Sequence, residues 1–146
     1  PIYPSLKTYE FIEHTADIGI KVKAGNLKEL FKNAALAVFD ILAEIRPKVQ
    51  GHRPKPSNIS IKQKADNLEE LFVNWLNELL SLSATKELIF YGFRINKLDE
   101  NALDAVVTGR DIKNYKVNTE IKAATYCQLK LKQAKTGWLA EVIFDV

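Results

Sequence analysis

At 146 residues, with 47% hydrophobic and 27% charged positions, the chain is long enough to bury its own core, and a single globular domain over 1–146 is expected. No apolar run approaches the roughly 20 residues of a membrane span, and Pro1-Ile-Tyr-Pro-Ser-Leu-Lys7 has neither the basic end nor the apolar stretch of a secretory signal. A lone Cys127 cannot close an internal disulfide, so a soluble cytoplasmic protein is expected, and a net charge of +3 does not by itself argue for nucleic acid.

The first informative segment is Glu13-His14-Thr15-Ala16-Asp17, two acids and an imidazole just before a strand-like run from Ile18 to Ala24. Such a cluster at a strand edge can hold a metal or orient a proton. It can equally be a structural histidine followed by a turn-capping aspartate. The chain closes on Asp145-Val146. If the strand after Asp17 lies beside the strand ending at Asp145, two side-chain carboxylates and the terminal carboxylate gather at one edge. They would repel one another without a cation.

Asn26-Leu-Lys-Glu-Leu-Phe31 recurs as Asn67-Leu-Glu-Glu-Leu-Phe72. In each copy Asn is placed to cap a helix, and Glu29 or Glu70 follows three positions later, as in a capping box. Apolar residues then recur every three or four positions, through Leu30, Phe31, Ala34 and Val38 in the first copy and Leu71, Phe72, Trp75 and Leu79 in the second. This predicts two amphipathic helices lying on sheet, with Lys28, Asn33 and Asp40, or Glu69 and Asn77, toward water. A strand candidate precedes each helix, Ile18 to Ala24 and Ile59 to Lys64, giving a duplicated strand-helix unit.

Between the units, Pro47, Gly51, Pro54 and Pro56 mark Arg46 to Asn58 as a loop. From Ile45 to Ala65 there are six basic residues and no acid, a stretch able to meet RNA phosphates. Without interleaved aromatics to stack bases it reads more simply as a solvated loop. After Ser83 come strand candidates at 88–95, 102–108, 125–131 and 138–144, with turns at Lys97 to Asn101 and Ala134 to Gly137. These predict an antiparallel C-terminal sheet, and the whole reads as α+β.

No nucleophile constellation, phosphate-cradling glycine loop or paired cysteine zinc motif is present. What remains is oxygen chemistry suited to Ca²⁺, Mg²⁺ or Mn²⁺. His14 is open to two readings, as a ligand or as a structural hydrogen-bonding group. Glu78, at the margin of the second helix's apolar face, is either a site residue or a solvated one. Lys122 either neutralises the acidic edge, contacts an anion, or is simply solvated.

The Glu-His-Thr-Ala-Asp run, the repeated Asn-Leu-x-Glu-Leu-Phe helix starts, Lys122-Ala-Ala-Thr-Tyr126 and the closing Asp145-Val146 fall in one order along the whole chain. In that order the sequence resembles the archease family. One position departs: the family usually has His where this chain has Cys127. The resemblance implies a small α+β protein that assists an RtcB-type tRNA-splicing ligase by promoting its guanylylation and multiple turnover. It implies metal ligands at Asp17, Asp145 and the main-chain oxygens of Val146, binding a divalent ion, with Ca²⁺ expected in a structure and Mg²⁺ or Mn²⁺ in function. Positions matching Glu78 and Lys122 look functional in that family as well. A chaperone-like modulator of tRNA-modifying enzymes such as methyltransferases is the alternative, and a metal-dependent hydrolase acting alone is a third class, for which a general base is missing.

Overall fold

The computed structural model describes residues 8–13, 17–46 and 55–146. Among them run β1 (Tyr9–Glu13), β2 (Asp17–Ala24), α1 (Leu27–Leu42), β3 (Ala43–Ile45), β4 (Ser57–Lys64), α2 (Leu68–Lys86), β5 (Leu88–Leu98), β6 (Ala102–Asp111), β7 (Tyr115–Val117), β8 (Ala123–Ala134) and β9 (Gly137–Asp145). A four-stranded sheet has the order β1-β2-β9-β8, a three-stranded sheet the order β4-β6-β5, and β3 pairs with β7. All described pairings are antiparallel. The fold is α+β, two helices packed on antiparallel sheet.

The late strands do not form one C-terminal sheet, as their sequence order suggested. β5 and β6 join β4, while β8 and β9 join β1 and β2. Alternation specifies which face of a strand is buried but not its neighbour, so this partition follows from tertiary packing. The strand β1, which the sequence reading passed over, pairs with β2 from Tyr9 opposite Val22 to Glu13 opposite Ile18.

Both repeats start helices as their residues dictate. Asn26 accepts from the Glu29 N–H at 2.9 Å, and Asn67 from the Glu70 N–H at 2.8 Å. The return bond of the second copy runs from the Asp66 N–H to Glu70, at a long 3.4 Å, rather than from Asn67 itself. Each helix buries an arc of roughly 200° at about 100° per residue, wider than a one-sided amphipathic stripe. The reason is that α1 touches β2 and β9 on one sheet and β5 on the other, and α2 touches β8 as well as β4 and β5. Equivalent phenylalanines of the two repeats meet at the centre: Phe31 and Phe72 lie edge to face, centroids 5.1 Å apart. The buried Trp75 indole donates to the Phe31 carbonyl at 3.0 Å, tying the helices together.

Two residues expected to face water are half-buried and engaged with strands instead: Asn33 donates to the Lys23 carbonyl and Asn77 bonds β8. Asp40 is exposed as expected and also accepts from the Tyr9 hydroxyl. A pattern of apolar positions does not distinguish a polar residue in solvent from one pointed at a strand's backbone. None of the described helices is long and apolar enough to cross a membrane.

Candidate functional site

The site is built where β2 begins and β9 ends. Antiparallel pairing sets Asp17 directly opposite Asp145, and Ala123 of β8 faces Asp145 from the other side. Ile18 and Phe144 point into the core, so Asp17 and Asp145 project together from the opposite face. Directly opposed residues on adjacent strands hold their Cβ atoms about 5 Å apart, a spacing at which two carboxylates repel. Asp17 is half-buried and Asp145 exposed. Neither has an ion-pair partner among the described residues.

The flanks of this pair are held by main-chain bonds. The Lys122 N–H donates to the Asp145 carbonyl at 2.8 Å, which fixes Lys122 beside the acidic end while its side chain stays exposed. On α2, Asn77 accepts from the Ala124 N–H at 2.7 Å and donates to the Ala124 carbonyl at 3.3 Å. β8 is an edge strand, and this amide satisfies two backbone groups that have no neighbouring strand to pair with. Glu78 follows Asn77 on the same helical turn and is half-buried. Nothing in the helical periodicity separates Asn77 from any surface amide, which is why it escaped the sequence reading.

Beyond Thr125 the β8–β9 ladder breaks. Thr125 pairs with Ile143 and Lys130 with Glu141, so Tyr126 to Leu129 bulge out opposite Val142 alone. Within the bulge Gln128 takes φ 53°, a left-handed conformation that a non-glycine residue adopts at a cost of about 1 kcal/mol. Thr125 anchors the base, its hydroxyl donating to the Ile143 carbonyl and accepting from the Cys127 N–H. Tyr126 and Cys127 are exposed, three and four positions along β8 from Ala123.

Of the residues singled out from sequence, Asp17 and Asp145 are brought face to face, Lys122 is held beside Asp145 by its main-chain bond, and the exposed Val146 follows Asp145 in the chain. Glu78 lies on the helix that grips the same end of β8. His14 lies outside the described residues. Among the described residues, no three or more His, Cys, Asp or Glu side chains gather as a metal cage. The paired carboxylates of Asp17 and Asp145 are oxygen donors of the kind that would suit a hard divalent ion with open positions.

Comparison with known proteins decides the family. The chain matches the Archease protein family over residues 9–146. It belongs to the archease family. It is 38% identical to the protein archease of Methanosarcina acetivorans, covering 96% of this chain and 97% of that one. It is 31% identical to the protein archease of Pyrococcus furiosus, covering 97% and 100%. The solution structure of protein 1598 from Methanobacterium thermoautotrophicum superposes with a TM-score of 0.71 at 27% identity, over 97% of this chain and all of that one. The fold is also that of a crystal structure from Thermotoga maritima described as an archease and possible chaperone, with a TM-score of 0.64 at 24% identity, covering 92% and 94%.

Proposed function

We propose that this chain is a cytoplasmic accessory protein of an RtcB-type tRNA-splicing ligase, stimulating its guanylylation and turnover through a divalent ion held at the β2–β9 end. The observation that carries this reading is the opposition of Asp17 and Asp145 with no counter-cation from the described protein. Two like charges held at that distance favour a bound cation, and Ca²⁺, Mg²⁺ or Mn²⁺ fit carboxylate and carbonyl oxygens. Val146 would add main-chain oxygen. A divalent ion here supplies positive charge for phosphate oxygens.

The chain's own groups do the rest. The carboxylates bind the ion at an exposed strand end that a partner can approach. Lys122, fixed by its bond to Asp145, offers an ammonium to an anionic group of the partner or its nucleotide, and Glu78 flanks the same end from α2. The experiment is a guanylylation assay of the ligase with this protein and its Asp17→Ala, Lys122→Ala and Asp145→Ala variants. Loss of stimulation in the folded Asp17→Ala protein supports the reading, and undiminished stimulation ends it.

The second reading, a chaperone-like modulator of tRNA-modifying enzymes, draws support from the description of the Thermotoga maritima structure as a possible chaperone. It requires no metal. Protection of a methyltransferase from aggregation that persists in chelator and in Asp17→Ala would favour it.

A further inference from the structure

The β4-β6-β5 sheet covers the helices with one face and leaves the other open among the described residues. Ile61, Phe93, Leu103, Ala105 and Val107 are buried beneath it. Their strand neighbours therefore point outward in cross-strand rows: Asn58, Thr108 and Gly92; Ser60, Val106 and Arg94; Lys62, Asp104 and Lys97; and Lys64 opposite Ala102. Four cations thus share this face with a single acid, a local excess equal to the +3 of the entire chain. The described ion pairs are Lys116 with Glu44 and Lys130 with Glu141, and neither lies here. Two of these cations, Lys62 and Lys64, belong both to the basic stretch and to the strand candidate from Ile59 to Lys64. The structure sets them on β4, about 7 Å apart on one face.

A hollow of about 250 Å³ opens within this face, lined by Asn58, Gly92, Arg94 and Thr108 among others. Gly92 keeps it open, since a Cβ there would come within 3.2 Å of the Thr108 Cβ. The Thr108 hydroxyl donates to Asn58 Oδ1 at 2.7 Å, which leaves the Asn58 amide hydrogens as donors at a hollow that Arg94 also lines.

We propose that this face binds the sugar-phosphate backbone of single-stranded RNA, with Lys62, Lys64, Arg94 and Lys97 meeting phosphates and the Asn58–Thr108 hollow receiving a ribose 2′-hydroxyl. Charge complementarity selects a polyanion. Val106 is the one large apolar residue in these outward rows, so the face lacks the broad apolar middle that a protein partner would bury. No row of aromatics is present to stack bases, so recognition is of backbone rather than sequence. The 2′-hydroxyl, both donor and acceptor, is what the hollow's donors can read to favour RNA over DNA. The proposal does not rest on the acidic strand end, and binding by the protein alone tests it whether or not a ligase is stimulated.

The test is fluorescence anisotropy of a labelled, unstructured 20-nucleotide RNA with the intact protein at about 50 mM salt. Lys62→Glu with Arg94→Glu should weaken binding at least tenfold and reduce the log-log salt slope by about two. Lys132→Glu with Lys135→Glu, the same charge change in the exposed β8–β9 hairpin, should stay within about threefold, and DNA of the same sequence should bind about fivefold more weakly. Should the glutamate pair lower the thermal midpoint, Lys62→Gln with Arg94→Gln repeats the measurement without new charge. Equal weakening by the hairpin pair, equal affinity for DNA, or displacement of RNA by polyglutamate at matched charge would each overturn the proposal. The last of these would point to an acidic protein as the ligand.

Discussion

Asp17 and Asp145 are the residues on which the mechanistic reading turns, and their opposition has a consequence for stability as well as for binding. Opposed like charges on adjacent strands destabilise a ladder by a few tenths of a kcal/mol to about 1 kcal/mol. Asp17→Asn removes one charge while keeping the shape. It should therefore raise the melting temperature of the metal-free protein by about 1–3 °C and abolish the upward shift that Ca²⁺ gives the parent. Thermal scans of both proteins with and without Ca²⁺ measure this, and an unchanged Ca²⁺ shift in the variant would place the ion elsewhere. Asn77 makes the opposite kind of contribution, since its amide satisfies both free backbone groups of Ala124. Asn77→Leu leaves those groups unpaired in a half-buried cleft and should cost about 1–3 kcal/mol in urea unfolding. A cost below 0.5 kcal/mol would mean that solvent replaces the amide freely.

Among the elements, the β8–β9 hairpin depends most on a single backbone conformation. Gly137 has φ +140°, and a Cβ there would meet the Ala24 carbonyl oxygen at 2.2 Å. Gly137→Ala should therefore destabilise the protein by about 3 kcal/mol or more, whereas Gly25→Ala, with nothing within 4 Å of the added methyl, should be nearly neutral. Chemical denaturation of the two variants side by side tests the contrast, and comparable costs would contradict it. The elements themselves were largely legible. Both helices begin at the duplicated Asn residues because an amide that caps a helix leaves a local signature, and the hairpin turns at Asp99 and Gly137 lie where turn chemistry requires. The bulge at Tyr126 to Leu129 was not legible, because it breaks the alternation inside a run that still reads as strand. The juxtaposition of Asp17 with Asp145 could be posed from sequence only as a condition. Register between the second strand and the last is a property of the assembled sheet.

For the whole molecule, the decisive feature is that two sheets and two helices share one apolar interior. Ile20, Val142 and Phe144 of one sheet and Ile61, Phe90 and Val107 of the other belong to the same buried cluster, joined through Phe31, Phe72 and Trp75 of the helices. A domain of this size with one core is expected to unfold in a single step, even though its acidic strand end and its basic face belong to different sheets. That expectation can be read from the chain's own two tryptophans. Trp75 is fully buried between the helices, and Trp138, half-buried, is the second residue of the strand that ends at Asp145. Trp138→Phe leaves Trp75 as the sole indole, reporting on the centre that both sheets cover. Its fluorescence and the far-ultraviolet circular dichroism of the whole backbone should then give coincident urea midpoints, within about 0.2 M. If ellipticity is lost before the indole is exposed, one sheet can melt while the helix pair persists. The acidic end and the basic face would then be separately stable units, and a change at one would not carry to the other through the core.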